Sequence, residues 1–211
     1  MEKSNFQKIK DFLKKFWDIV WRDESLKGWI ISVIFIFVVI KFIFFPLMSL
    51  VTGSSIPLAI VESCSMYHEG NLFSDYDKWW ERHENKYQRL GFSKQEFSQF
   101  SFNNGFSKGD ILLIAGQKPK NIEEGDVIIF DAGKRNPLIH RVIDKRSEGG
   151  NYEFSTLGDN NNAQLPKERN IQGEQIMGKA VARIAPGLGW VKLIFYEPLK
   201  PERQKGFCDE T

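Results

Sequence analysis

Cysteine, histidine and charge imbalance are all scarce in this sequence. Its two cysteines, Cys64 and Cys208, lie far apart without C-x-x-C spacing, which supports neither a zinc site nor a disulfide framework and leaves a single bridge open. A net charge of +2, from 29 basic and 27 acidic residues, is too mild and too interspersed for a nucleic-acid binder. Only three histidines, His68, His83 and His140, are available for imidazole acid–base chemistry. At 211 residues the chain has room for one ordinary domain plus an anchor.

One long hydrophobic run is present. "WIISVIFIFVVIKFIFFPLMSL", from Trp29 to Leu50, is long enough at about 1.5 Å per residue to cross a hydrocarbon core of roughly 30 Å. Lys41 sits near its middle, where its stem has to snorkel, and Pro46 is placed to kink the outer end. The run is longer than the apolar part of a cleavable signal peptide and follows a polar N-terminal stretch, so it is expected to stay as an anchor. Lys3, Lys8, Lys10, Lys14, Lys15, Arg22 and Lys27 crowd its N-terminal side, which predicts a cytoplasmic N-terminus. Within that stretch Phe6, Ile9, Leu13, Phe16 and Val20 recur at helical spacing, the pattern of an amphipathic helix on the inner leaflet or against a partner.

Beyond Ile56 the pattern becomes short β-type runs: "IPLAIVES", "DILLIA", "DVIIFDA", "LIHRVID", "YEFSTL" and "IMGKAVARIA", each bounded by turn residues. Between Asn71 and Lys108 the spacing turns helical. Trp79, Trp80, His83, Tyr87 and Leu90 share a face, and Ser93 with Glu96 forms a capping box inside a Phe92/Phe97 staple. Aromatics at that spacing are read as core in preference to a lid or a membrane-touching surface. The expected fold is mainly β with a helical insertion, preceded by a transmembrane helix. The expected division is 1–28 cytoplasmic amphipathic segment, 29–51 anchor, 52–198 extracytoplasmic β domain with the insertion at 71–108, and 199–211 polar tail. The tail, with the apolar run "WVKLIF" before it, reads as a last strand or interfacial segment with a loose end.

In "AIVESCSM", if extended, Ser63 and Ser65 face one side and Cys64 the other. A serine becomes a nucleophile only when a base takes its proton, and His140, within a strand, is the histidine best placed to be held rigidly. Asp159, in the Gly-Asp-Asn turn that follows a strand, is the candidate orienting acid, with Asp144 its competitor. Each residue taken singly has an ordinary structural explanation.

As an ordered set, the anchor, "SCSM", "GDILLI", "GDVIIF", "IHRVI" and "LGDNN" resemble type I signal peptidase of the archaeal and endoplasmic-reticulum branch, from the anchor to about Trp190. The resemblance implies a membrane-bound serine endopeptidase that cleaves signal peptides from exported precursors. It implies Ser65 as nucleophile, His140 as base and Asp159 as acid, with Ser63 helping the backbone N–H of Ser65 at the oxyanion. No metal and no cofactor are expected. The partners it implies are signal peptides of secretory precursors, the lipid bilayer and, as a further candidate, the protein translocation channel, with no nucleic acid. The chain departs from the pattern in three places. His68 stands where a proline often follows the Ser-Met pair, Leu165 stands where many members carry a second aspartate, and the insertion is long. The Leu165 departure supports a second reading, a catalytically impaired relative that binds signal peptides or membrane proteins.

Overall fold

The structure, a computed structural model, describes residues 5–70, 76–134 and 136–209. The expected role of Lys3, the start of the insertion at 71–75 and the last two residues of the tail lie outside the described residues. The chain divides into two compact units, Met1–Val51 and Thr52–Thr211.

In the first unit, α1 (Asn5–Arg22) carries the helical periodicity seen in the sequence. After a short turn, Ser25 caps α2 (Leu26–Val39) by accepting from the Gly28 N–H at 3.1 Å. Ser32 donates to the Val20 carbonyl at 2.6 Å, and Phe16 meets Phe35 edge-on, so α1 folds back against α2. The apolar helix then runs through a π-helical turn, Ile40–Phe44, into α3 (Phe45–Thr52). Pro46 has no N–H to donate, and the wide turn just before it lets the Phe45 N–H reach the Ile40 carbonyl without breaking the helix. From Leu26 to Thr52 the helix is long and apolar enough to cross a membrane, and it extends beyond the expected 29–51 at both ends.

The second unit is built on one antiparallel sheet of seven strands. They are β1 (Leu58–Ile60), β2 (Ile111–Ala115), β3 (Val127–Phe130), β4 (Leu138–Glu148), β5 (Asn151–Leu157), β6 (Ile171–Gln172) and β7 (Ile176–Ala185), in the order β1-β2-β7-β3-β4-β5-β6. Each of the six apolar runs of the sequence supplies one strand; only the two-residue β6 was not legible. β3 is buried on both faces, which explains its unbroken apolar run. By strand alternation Val127 and Ile129 enter a core with Met66, Phe106, Leu112 and Ile114, while Ile128 and Phe130 enter another with Val142 and Phe154.

The insertion forms α4 (Tyr76–Arg89) and α5 (Lys94–Ser98), the latter started by the Ser93/Glu96 capping box. Trp79, Trp80, Tyr87, Phe92 and Phe97 pack on Ile143 and Leu157 of β4 and β5. These aromatics are therefore core, and they fix α4 to the sheet. After β7 the chain makes a short helix, α6 (Trp190–Leu193), instead of a strand. The tail beyond it is not loose: Cys64 and Cys208 form a disulfide across a sequence separation of 144. Closing so long a loop stabilises by about 2–4 kcal/mol, mainly by constraining the unfolded chain.

Candidate functional site

β1 ends at Ile60, so Ser63 and Ser65 sit in a turn and not in an extended strand. The turn is pinned from several directions. The Tyr67 N–H donates to the Cys64 carbonyl, the Phe106 N–H to the Met66 carbonyl, and the Asn160 N–H to the Ser65 carbonyl at 2.8 Å. The Asn160 side chain also donates to the Cys64 carbonyl at 3.1 Å. Gly158 is needed for this approach, because a Cβ there would lie 2.7 Å from the Ser65 carbonyl oxygen. The two hydroxyls end 3.1 Å apart, Ser63 Oγ to Ser65 Oγ.

His140 lies in β4 opposite Ile128 of β3, is nearly buried, and places Nε2 2.8 Å from Ser65 Oγ. Its Nδ1 meets Oε1 of Glu168 in a short contact. Glu168 is fully buried at the end of a 3-10 turn, Pro166–Glu168, that begins directly after Leu165. Its other oxygen accepts the Leu165 N–H at 2.5 Å, and the Thr156 hydroxyl stands 3.4 Å from Oε1. A carboxylate accepting from Nδ1–H holds the imidazole in the tautomer whose Nε2 is free to accept the serine proton. The carboxyl group on His140 is thus Glu168, three residues beyond the position where an aspartate was looked for. The signal for it was present in "LPKE": a proline at the first position of a turn and a glutamate at the third is a helix-start pattern.

Asp159 is placed elsewhere. Successive strand residues point to opposite faces, so Arg141, next to His140, projects away from it. Arg141 is wholly buried and donates Nε to Oδ1 of Asp159 at 2.9 Å and Nη2 to Oδ2 at 2.6 Å. Its remaining N–H groups reach the carbonyls of Ser101, Phe102 and Gly125. Tyr87 donates its hydroxyl to Asp159 Oδ1, and His68 Nε2 lies 2.9 Å from Oδ2 while its ring stacks on Trp79 at 3.6 Å. Asp159 therefore ties the insertion and β4 to the turn that carries Ser65, and its side-chain bonds run to Arg141, Tyr87 and His68 and not to His140. Asp144 sits next to a bulge in β4 and pairs with the exposed Arg146. His83 stacks on Trp79 within the insertion.

Burial alone would raise the Asp159 carboxyl, but the Arg141 guanidinium and His68 hold it well below the ordinary carboxylate range. Burial pushes His68 down against the opposing pull of Asp159. Both folded-state values lie below the unfolded ones, so the unfolded chain takes up these protons first and stability falls on acidification. Loss is expected to begin below about pH 6.5 through His68 and to deepen below about pH 4 through Asp159. Thermal melts from pH 8 to 3.5 check this, and a melting temperature that stays flat to pH 4 would contradict it.

A cleft of about 520 Å³ opens beside Ser65 and His140, with Leu58, Ile60, Phe106 and Ile129 among its apolar lining. Among the described strands β1 is an edge strand paired with β2, so one side of its backbone is open along this cleft. An activated hydroxyl, an oriented imidazole and an open strand edge can together bind an extended peptide and attack its carbonyl.

No family model matches the chain. Similar sequences include the signal peptidase complex catalytic subunit sec11 of Dictyostelium discoideum, 28% identical over 99 residues, covering 44% of this chain and 54% of that protein. The SEC11 subunit of Metarhizium robertsii is 29% identical over the same length, covering 44% and 57%, and human SEC11C is 30% identical over 96 residues, covering 42% and 50%. The chain spans about half the length of the curated relatives it matches.

Proposed function

We propose that this chain, a sequence relative of signal peptidase complex catalytic subunits, is a membrane-bound serine endopeptidase that removes signal peptides from exported precursors. The observation that carries the reading is the chain of contacts from Ser65 Oγ to His140 Nε2 and from His140 Nδ1 to Glu168. In this mechanism the substrate adds to the open edge of β1, and His140 takes the Ser65 proton as Oγ attacks the scissile carbonyl. The imidazolium, stabilised by Glu168, then gives the proton to the leaving amine, and water repeats the cycle to release the acyl group. The oxyanion is assigned to the Ser65 backbone N–H, helped by the Ser63 hydroxyl, which lies 3.1 Å from Ser65 Oγ. Glu168 fills the role assigned by resemblance to Asp159, and its presence weighs against the catalytically impaired alternative. Incubating the detergent-purified protein with a labelled secretory precursor tests the reading: it predicts one cut after the signal peptide, and an intact precursor would refute it.

The apolar helix Leu26–Thr52 is read as the anchor, with the N-terminus cytoplasmic and the β unit outside. At about 100° per residue, Lys8 and Lys15 border one edge of the α1 apolar arc and Lys10 and Lys14 the other, while Asp11 and Asp18 centre the polar face. Phe12, Trp17 and Trp21 are more than half exposed, which suits a helix lying in the headgroup region of an anionic leaflet. The disulfide supports placing the β unit in an oxidising compartment. Protease added to right-side-out vesicles is expected to digest the β unit and spare α1; a protected β unit would reverse the orientation.

A further inference from the structure

The segment after α6 crosses the rim of the cleft and is fastened there by groups that the proposed mechanism leaves unused. Cys208 is bonded to Cys64, the residue next to the nucleophile. Asn160, which clamps the Ser65 turn, also donates its side chain to the Asp209 carbonyl at 2.9 Å. Lys108, a nearly buried cation, donates to the carbonyls of Gln204 at 2.8 Å and Gly206 at 3.0 Å and pairs with Glu197. The Phe207 ring rests on Trp190, 5.1 Å between centroids. Lys200 donates to the Glu62 carbonyl at 2.9 Å. Held in this way, Lys200 and Gln204 become part of the cleft lining alongside Ser65 and His140.

We infer that residues 200–209 are a strap that forms the specificity-determining wall of the cleft, held in register by the Cys64–Cys208 disulfide. The inference rests on the peptidase reading. A buried lysine whose bonds run to two strap carbonyls and a glutamate is costly unless that geometry is kept, and the covalent link fixes the strap beside the nucleophile and not at a remote surface. Among the described residues, the strap's hydrogen bonds, ion pairs and ring contacts run to Glu62, Lys108, Asn160, Trp190 and Glu197 and not to His140 or Glu168, so it shapes substrate binding and leaves proton transfer alone. Gln204 is a positioning and selection residue, not a catalytic one.

Two variants test this in the full-length protein in detergent. Cys208→Ser removes the fastening, and Gln204→Trp keeps the disulfide while pushing a large side chain into the wall. For both, KM for a labelled precursor peptide is expected to rise about tenfold, with kcat and the acid limb of its pH profile unchanged. Treating the wild type with a dithiol, which gives two electrons and two protons to the bridge and becomes a disulfide itself, should reproduce the Cys208→Ser result and leave Cys208→Ser unaffected. Unchanged KM in both variants would overturn the inference, as would a fall in kcat with a shifted pH profile, which would mean the bridge merely supports the Ser65 turn. A wild type that cuts no precursor removes the peptidase reading and this inference with it, an outcome distinct from an active wild type with indifferent variants.

Discussion

Ser65→Ala is expected to lower kcat for precursor cleavage on the order of 10⁶-fold while leaving the fold intact. The size of the loss follows from removing the atom that forms the covalent intermediate, which no neighbour can replace. Ser63 Oγ lies 3.1 Å from Ser65 Oγ, but the hydrogen bond to His140 is made by Ser65. Cys64, one residue away, is tied up in the disulfide and offers no thiolate. The Ser65 hydroxyl is partly exposed in a turn held by backbone bonds, so its loss should cost little stability. Cleavage by gel or mass spectrometry, with a thermal melt as the folding control, checks both halves. Cleavage at the same site with wild-type turnover would remove Ser65 from the chemistry.

The second large effect separates two buried carboxylates. Glu168→Gln is expected to cost about 10⁴-fold in kcat, because an amide N–H directed at Nδ1 favours the tautomer that carries its proton on Nε2 and cannot accept one from serine. Asp159→Asn should act on a different quantity. It leaves the wholly buried Arg141 guanidinium facing a neutral amide, and breaking a buried pair in this way costs about 3–5 kcal/mol of stability. Turnover per folded molecule should stay near the wild-type value. Denaturant unfolding together with turnover normalised to folded protein tells the two apart. A well-folded Asp159→Asn with collapsed turnover, beside a normal Glu168→Gln, would return the acid to Asp159.

Much of this was legible in the sequence because it depends on local pattern. The strands announced themselves as apolar runs between turn residues, the insertion as aromatics at helical spacing, and Ser65 and His140 as the serine and histidine of an ordered motif set, which the fold brings to 2.8 Å. What was not legible depends on which groups meet across long separations. Asp159 and Glu168 are both acids in the stretch between β5 and β6, and nothing local says that Arg141 claims one and His140 the other. That division follows from the alternation of β4, which sends the two neighbours to opposite faces. The Cys64–Cys208 bridge was hidden for the same reason, since two distant cysteines carry no spacing signal. The apolar run "WVKLIF" satisfied a strand pattern and formed α6, as short apolar runs can take either state.

The central claim, that Ser65 is the attacking atom, is tested most directly by trapping the acyl-enzyme. A precursor peptide with an ester at the scissile position acylates faster than it is hydrolysed, so the intermediate accumulates. Quenching in acid, digesting and mapping the adduct by mass spectrometry should place the acyl group on Ser65 in the wild type, with none in Ser65→Ala. An acyl group on another residue, or an unmodified Ser65 in an enzyme that is turning over, would contradict the account.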